Sequence, residues 1–324
     1  MTIMTTIILE SIDSHIWNLE YKLIEILKPL LNNEEIMIDL NWEGPCAESL
    51  GLFSLLDKLC EEFAIDKNLI HIVTANAIET KRKYKIINSS VVYLTNYNDL
   101  NFEPNKSIKK HFGIFIGRSN FNRLYLSAYL YKHHREKTLQ TFHFSKNSYL
   151  KTGFDQLNTF DSDVRKNTKL IKDFLLNYPF KVEEIESYPI LSPAHMNIIK
   201  HYDNIFVDIV CETFFTGNTF YPTEKIVRPL LSKTPFLIFG PVNYLSNLRK
   251  LGFKTFNDYW SEDYDSYEGI KRCNIIAERI DYISRLSLQQ LNDMYCDMKP
   301  LLEHNKEVIK SITFENFYKT FENV

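Results

Sequence analysis

The stretch from Ile205 to Asp265 constrains the fold most, because its apolar runs and its breakers alternate in one recognisable order. An apolar, β-branched run from Ile205 to Val210 ends at Glu212. A short loop containing Gly217 follows, and Pro222-Thr223-Glu224-Lys225 opens a helical segment. A second apolar run, Pro235 to Phe239, stops at Gly240-Pro241, and Val242 to Leu251 restores a helical period. Strand, loop, helix, strand, helix is the order of a parallel sheet with crossover helices. In such sheets ligands bind beyond the carboxyl ends of the strands. Thr223 is a good N-cap, and the amides of a helix start attract anions, phosphate above all. Glu224 and Lys225 therefore stand where a phosphorylated ligand would arrive. Pro229 predicts a kink at Arg228, or a first turn separate from the rest.

The chain ahead of this stretch reads the same way. Residues 16–31 have helical spacing up to Pro29, Glu35 to Leu40 is a strand, and Asn41 to Pro45 is a turn. Ala47 to Phe63 is an amphipathic helix, and Leu69 to Ala75 is a strand ending at Asn76, which completes a first βαβ unit. Arg82 to Ile87 and Val91 to Leu94 read as further strands. Phe112 to Ile116 is a strand, a helix runs from Asn122 through Leu130, and Thr138 to Phe144 is strand-like. Residues 145–170 are polar and aperiodic, as in long loops or an interdomain connection, and a helical period resumes at Leu170 to Leu176. Helices over Ile270 to Leu286, Leu288 to Leu302 and Lys306 to Glu322 close the chain. The expected architecture is α/β, with two Rossmann-like domains, 1–180 and 181–324, and a cleft between them.

Composition then removes whole classes. With 324 residues and 44% hydrophobic content, two ordinary cores are affordable. Only 9 glycines occur, and there is neither GxGxxG nor GxxxxGK[ST], which disfavours dinucleotide dehydrogenases and P-loop kinases. A formal charge of -3 provides no electrostatic reason for a nucleic-acid or membrane partner, although a local basic groove would leave nucleic acid open as an acceptor. The 23 Phe and 19 Tyr suit thick cores and carbohydrate-facing clefts alike. Five widely spaced cysteines without CxxC fit reduced thiols better than a disulfide framework or a zinc site. The N-terminus lacks a basic region followed by an apolar core, and no stretch approaches the ~20 apolar residues of a membrane span. The expectation is a soluble, cytoplasmic protein.

Each candidate residue has a functional and a bland reading. Lys225 suits a diphosphate and Glu224 the hydroxyls of a ligand; otherwise both are first-turn residues, with Glu224 pairing Arg228. Arg118 and Arg123 lie where a strand end, a glycine and a helix start would let a guanidinium meet phosphate oxygens, or they are surface arginines. Glu212 ends a buried strand, where a carboxylate is costly unless paired or used, so it binds ligand hydroxyls or partners an arginine. Of Asp39, Glu43 and Glu48, near the end of the first strand, Glu43 is the preferred general base because it sits in the Trp42-Glu43-Gly44-Pro45 loop. Asp161-Ser162-Asp163 and Asp263-Tyr264-Asp265 match a bare DxD, but neither follows an apolar strand, so they read as loop or cap aspartates. His133, His134 and His143 have no metal-site spacing, and no nucleophile elbow supports a Ser-His-Asp hydrolase.

Cys211-Glu212-Thr213, Pro222-Thr223-Glu224-Lys225, Leu230 to Lys233 and Thr234 to Gly240 together resemble the C-terminal donor domain of α-1,3-fucosyltransferases. The similarity is strong over about sixty residues and architectural elsewhere. The whole chain, including NWEGPCAESLGL, HFGIFIGRSNFNRL and LGFKTFNDYW, is also similar to uncharacterised glycosyltransferase-like proteins of phages and large viruses. The resemblance implies a two-domain GT-B fold and an inverting, metal-independent transfer from a nucleotide sugar, such as fucose from GDP-fucose, to a glycan or other hydroxyl acceptor. The nucleotide sugar is then a co-substrate, and no further cofactor is implied. By the family's motif, Lys225 binds the donor diphosphate, Glu224 the ribose or sugar hydroxyls, and Glu212 and Thr223 line the same pocket. An arginine, Arg118 or Arg123, comes from the other side of the phosphates. The family usually has tyrosine and an alanine or glycine pair where this chain has Ile226-Val227-Arg228 and Ser232-Lys233, so base and sugar stay open. A DxD-dependent GT-A enzyme and a non-catalytic carbohydrate-binding or virion-associated module are the alternatives.

Overall fold

The computed structural model describes residues 4–12, 15–16, 19–40, 44–79, 84–89, 92–95, 103–116, 121–142, 169–174, 176 and 193–322. It is an α/β structure built on two parallel four-stranded sheets. The first sheet has the order β1 (Thr5–Ile8), β4 (Ile36–Asp39), β5 (Ile70–Thr74), β6 (Lys85–Asn88). Between β1 and β4 lie a short antiparallel pair, β2 (Ser11–Ile12) and β3 (His15–Ile16), and helix α1 (Leu19–Leu31). Helix α2 (Leu52–Glu62) joins β4 to β5. Ile7, Ile36, Ile38, Ile70 and Ile72 fill the core of this unit with Ile26, Phe53 and Leu56 from the helices. β1 went unread in the sequence; it lies at the sheet edge and buries Ile7 while Thr5, Thr6 and Ile8 face out, so its apolar signal is weak.

The second sheet contains β7 (Lys110–Ile116), β8 (Thr138–Phe142), β9 (Ile205–Cys211) and β10 (Phe236–Phe239), in the order β10-β9-β7-β8. Helix α3 (Phe121–His134) connects β7 to β8, and α4 (Glu224–Leu231) connects β9 to β10. Helices α5 (Tyr244–Lys250), α6 (Gly269–Ser284), α7 (Leu288–Ser311) and α8 (Phe314–Lys319) follow. β7 and β9 are central and buried almost throughout, which is why both read as near-continuous apolar runs.

This membership displaces the boundary expected at residue 180. Phe112 is in register with Val207 on one side and with Thr138 on the other, so β7 and β8 belong to the second unit. A strand buried on both faces needs ladder partners along both edges, and only β9 supplies the second one. The cores divide accordingly: one runs from Ile7 to Tyr84, the other from Val92 to Phe321.

Other expectations shift locally. Residues 93–95 form a 3-10 turn instead of a strand. α1 continues past Pro29 to Leu31, and α4 runs as one helix through Pro229, so its first turn is not a separate piece. α7 runs through Pro300 to Ser311, where two helices were expected, and the break comes at Ile312. It opens with a capping box from Ser287 and Gln290. Among the described residues no helix is long and apolar enough to cross a membrane.

Candidate functional site

In the second sheet the winding reverses between β7 and β9: β8 lies outside β7, and β10 lies outside β9. The crevice beyond the carboxyl ends at such a reversal is where open α/β sheets take ligands. Two of the expected residues meet there. Arg123, from the first turn of α3, donates through its NH2 group to the main-chain carbonyl of Glu212 at 2.9 Å. Arg118 lies outside the described residues.

Glu212 is 2% exposed, and its carboxylate is fully engaged. Oε1 accepts from the Thr223 amide at 3.2 Å and from the Tyr244 hydroxyl at 2.7 Å. Oε2 accepts from the Thr223 hydroxyl. Burial first, then the Glu212 charge, raises the Tyr244 hydroxyl well above the usual phenol range, so it remains a donor. Glu212 thus ties the end of β9 to the starts of α4 and α5. Tyr244 had no motif to announce it; only its place at the start of the helix after β10 pointed this way.

Thr223 caps α4 as its sequence position implied, its hydroxyl accepting from the Lys225 amide at 3.3 Å. The first-turn amides offered to an anion are therefore partly taken, by Thr223 and by Glu212. The Lys225 ammonium is 2.9 Å from Glu224 Oε1, 3.2 Å from Thr223 Oγ1 and 3.4 Å from Thr213 Oγ1. Glu224 pairs with Lys225, the next residue, and the Arg228 charge also acts on it. Burial would raise the Glu224 carboxyl, but the charge and hydrogen bond of Lys225, with Arg228 behind, outweigh it and hold the group at about 2. Glu224 is an acceptor at any ordinary pH. Cys211, beside this cluster, is pushed up to about 12 by burial against the pull of Arg123, so its thiol is inert.

The first sheet meets this crevice with its own carboxyl ends. Asn76, just past β5, and Gly44, past β4, touch residues 218–221 of the loop that leads into α4. Gly44 has a φ of +62, and a Cβ there would lie 2.8 Å from the Asn76 amide nitrogen and 2.9 Å from Tyr221 Cβ. Glu43, the expected base, lies outside the described residues, next to this seam residue. Glu79 joins the two first-sheet loops, Oε2 accepting from Ala47 N at 3.0 Å and from Asn76 Nδ2 at 3.2 Å.

Elsewhere, Asp263 pairs with Arg279 at 3.1 Å. Asp265 caps α5 through Leu245 N and Ser246 N and pairs with the buried Arg272. That second DxD is a cap, as its polar context implied; Asp161 and Asp163 lie outside the described residues. One buried acid escaped the sequence reading. Asp208, inside the apolar run of β9, accepts from Tyr202 at 2.7 Å, and burial, opposed by Arg228 and Tyr202, raises it to about 6. A charge in the middle of an apolar run was the available signal. A cleft of about 300 Å³ lined by Lys106, Lys233, Tyr295 and Lys299 lies at the opposite, amino end of β9 and β10. There Lys106 donates to Tyr202 O at 2.6 Å, Ile205 O at 3.0 Å and Thr234 Oγ1 at 2.7 Å, which ties strand starts together and leaves the crevice above untouched. No protein-family model matches the chain, and no curated protein matches it.

Proposed function

We propose that the chain is an inverting, metal-independent glycosyltransferase of GT-B arrangement, resembling α-1,3-fucosyltransferases. It moves a sugar from a nucleotide sugar to a hydroxyl of a glycan or other acceptor. The observation that carries this reading is the convergence of Arg123, Glu212, Thr223, Glu224 and Lys225 at the strand reversal, facing the strand-end loops of the other sheet. The donor unit is the one built on the second sheet, including β7 and β8, and the acceptor unit is the one built on the first.

In this reading the donor diphosphate takes the Lys225 ammonium, displacing its two longer contacts to threonine hydroxyls and keeping the one to Glu224. Negative charge grows on the departing diphosphate in the transition state, so a fixed cation there lowers the barrier most. Glu224 holds Lys225 in place through their ion pair and offers its second oxygen to ligand hydroxyls. Arg123 and Arg118 are the candidates on the far side of the phosphates. Glu43 takes the acceptor proton as the new bond to the anomeric carbon forms. Closing the crevice between the units keeps water from the donor.

The test is a thermal-shift screen of nucleoside diphosphates and nucleotide sugars, with and without EDTA. A ligand that binds only the native state raises Tm. The expected result is a rise with one nucleotide class, insensitive to EDTA, and diminished in Lys225→Ala by a loss of affinity of about tenfold or more. A flat screen would favour a carbohydrate-binding module, and a rise that EDTA abolishes would favour a metal-dependent transferase.

A further inference from the structure

We propose that Asn76, in the first unit, is a positioning residue for Lys225 in the second: its carboxamide holds the loop that sets the start of α4. The ligand named for that end of α4 rests on the diphosphate reading above; the mechanical claim does not. Asn76 is 1% exposed, and its side chain is used to capacity. Oδ1 accepts from Ile78 N at 3.1 Å and Phe220 N at 2.9 Å, while Nδ2 donates to Glu79 Oε2 at 3.2 Å and Asn218 O at 3.0 Å. Ala77 N adds a bond to Phe220 O at 3.0 Å, and the Thr219 hydroxyl donates to Gly44 O.

These bonds pair residues 218–220 with the end of the first sheet. Only three residues separate Phe220 from Glu224, the first residue of α4. Thr223, within that span, supplies both the Glu212 bonds and the cap over Lys225 N. A side chain that fixes 218 and 220 therefore fixes where the Lys225 ammonium can stand. Pre-positioned cations are worth more than mobile ones, because little reorganisation remains to be done at the reaction. Asn76 touches no reacting group in this arrangement, so its role is exerted through the loop.

The test uses the full chain. Asn76→Asp keeps the volume and the Oδ1 bonds but sets a second oxygen against Asn218 O and Glu79 Oε2. Hydrogen exchange at the amides of 218–226, and acylation of Lys225 by a small amine-reactive ester, should each speed up about tenfold or more, with β9, β10 and α5 unchanged. Tyr318→Phe is the control, since it deletes another bond between the units, Tyr318 OH to Ser89 O at 3.0 Å, and removes none of the four Asn76 side-chain bonds. Should Asn76→Asp fail to fold, Thr219→Val removes the Gly44 bond from the same clasp with little change of shape. Unchanged exchange and labelling in the clasp variant would overturn the proposal. So would an equal change in Tyr318→Phe, which would mean general loosening of the seam. Calorimetry with ADP, CDP, GDP, UDP and dTDP separates the two layers. If the wild-type protein binds one of them, Asn76→Asp should weaken it about tenfold. If it binds none, the diphosphate reading falls, while exchange and labelling still decide whether Asn76 holds Lys225.

Discussion

Glu212 has three donors around one buried carboxylate, so its neutral isostere loses charge-assisted bonds without losing volume. Glu212→Gln should lower stability by about 1–3 kcal/mol in urea unfolding, and Tyr244→Phe by about 1 kcal/mol. Glu224 has its pKa held at about 2 in the fold against an ordinary 4.5, so the unfolded chain binds that proton more tightly. Its contribution to stability is complete above pH 4.5 and is lost as pH falls toward 2. Asp208 has the opposite sign: raised from 3.8 to about 6, it costs stability progressively as pH rises through that window. Unfolding free energy against pH should lose the acid-limb slope in Glu224→Gln and the decline between pH 3.8 and 6 in Asp208→Asn. Unaltered slopes in both variants would mean that neither carboxyl is perturbed. The sequence exposed Glu212, Thr223, Glu224 and Lys225 because each sits at an element boundary, where periodicity changes. It did not expose Tyr244 or Asn76 as partners, because nothing local links residues so far apart in the chain.

At the scale of the element, Asp265 and Arg272 show how a motif-like tripeptide becomes a cap. Arg272 is fully buried and donates to Pro241 O, Ile238 O and Asp265 O, besides pairing with the Asp265 side chain. Asp265→Ala would strip the cap from α5 and leave the guanidinium without its counter-charge, at a cost of about 3–5 kcal/mol. The loss of Tm should be the same with EDTA and with added manganese; a manganese-dependent rescue of the wild type alone would revive the metal reading. α4 and α7 both carry an interior proline, and both stay continuous. Local propensity argued for a kink or a separate first turn at Pro229, but packing of the mostly buried α4 outweighs one missing donor. Breaks predicted from proline alone were the least dependable part of the sequence reading.

For the whole molecule, the decisive fact is that β7 pairs with both β8 and β9. A fragment starting at residue 181 would lack two of the four strands of its sheet and leave β9 with a bare edge. Such a fragment should show no cooperative unfolding by circular dichroism, whereas one starting at residue 92 keeps the whole second core and should unfold cooperatively. The seam has its own test. Gly44→Ala must fit a Cβ at under 3.0 Å from Ala75, Asn76 and Tyr221, in a left-handed conformation that already disfavours side chains. It should cost about 1–3 kcal/mol and speed exchange on both sides of the seam; a neutral Gly44→Ala would show the two units to be less tightly joined.

Taken by itself, the sequence determined the α/β class, the strands buried on both faces and the residues at their carboxyl ends. Those features follow from local periodicity and from breakers, which act within a few residues. It placed Arg123, Glu212 and Lys225 at element ends but not beside one another. The tertiary structure alone decided which strands share a sheet, where the chain divides, and that Asn76 reaches the loop before α4. Each of those depends on ladder partners and packing between residues distant in sequence, for which a single chain of letters contains no period to read.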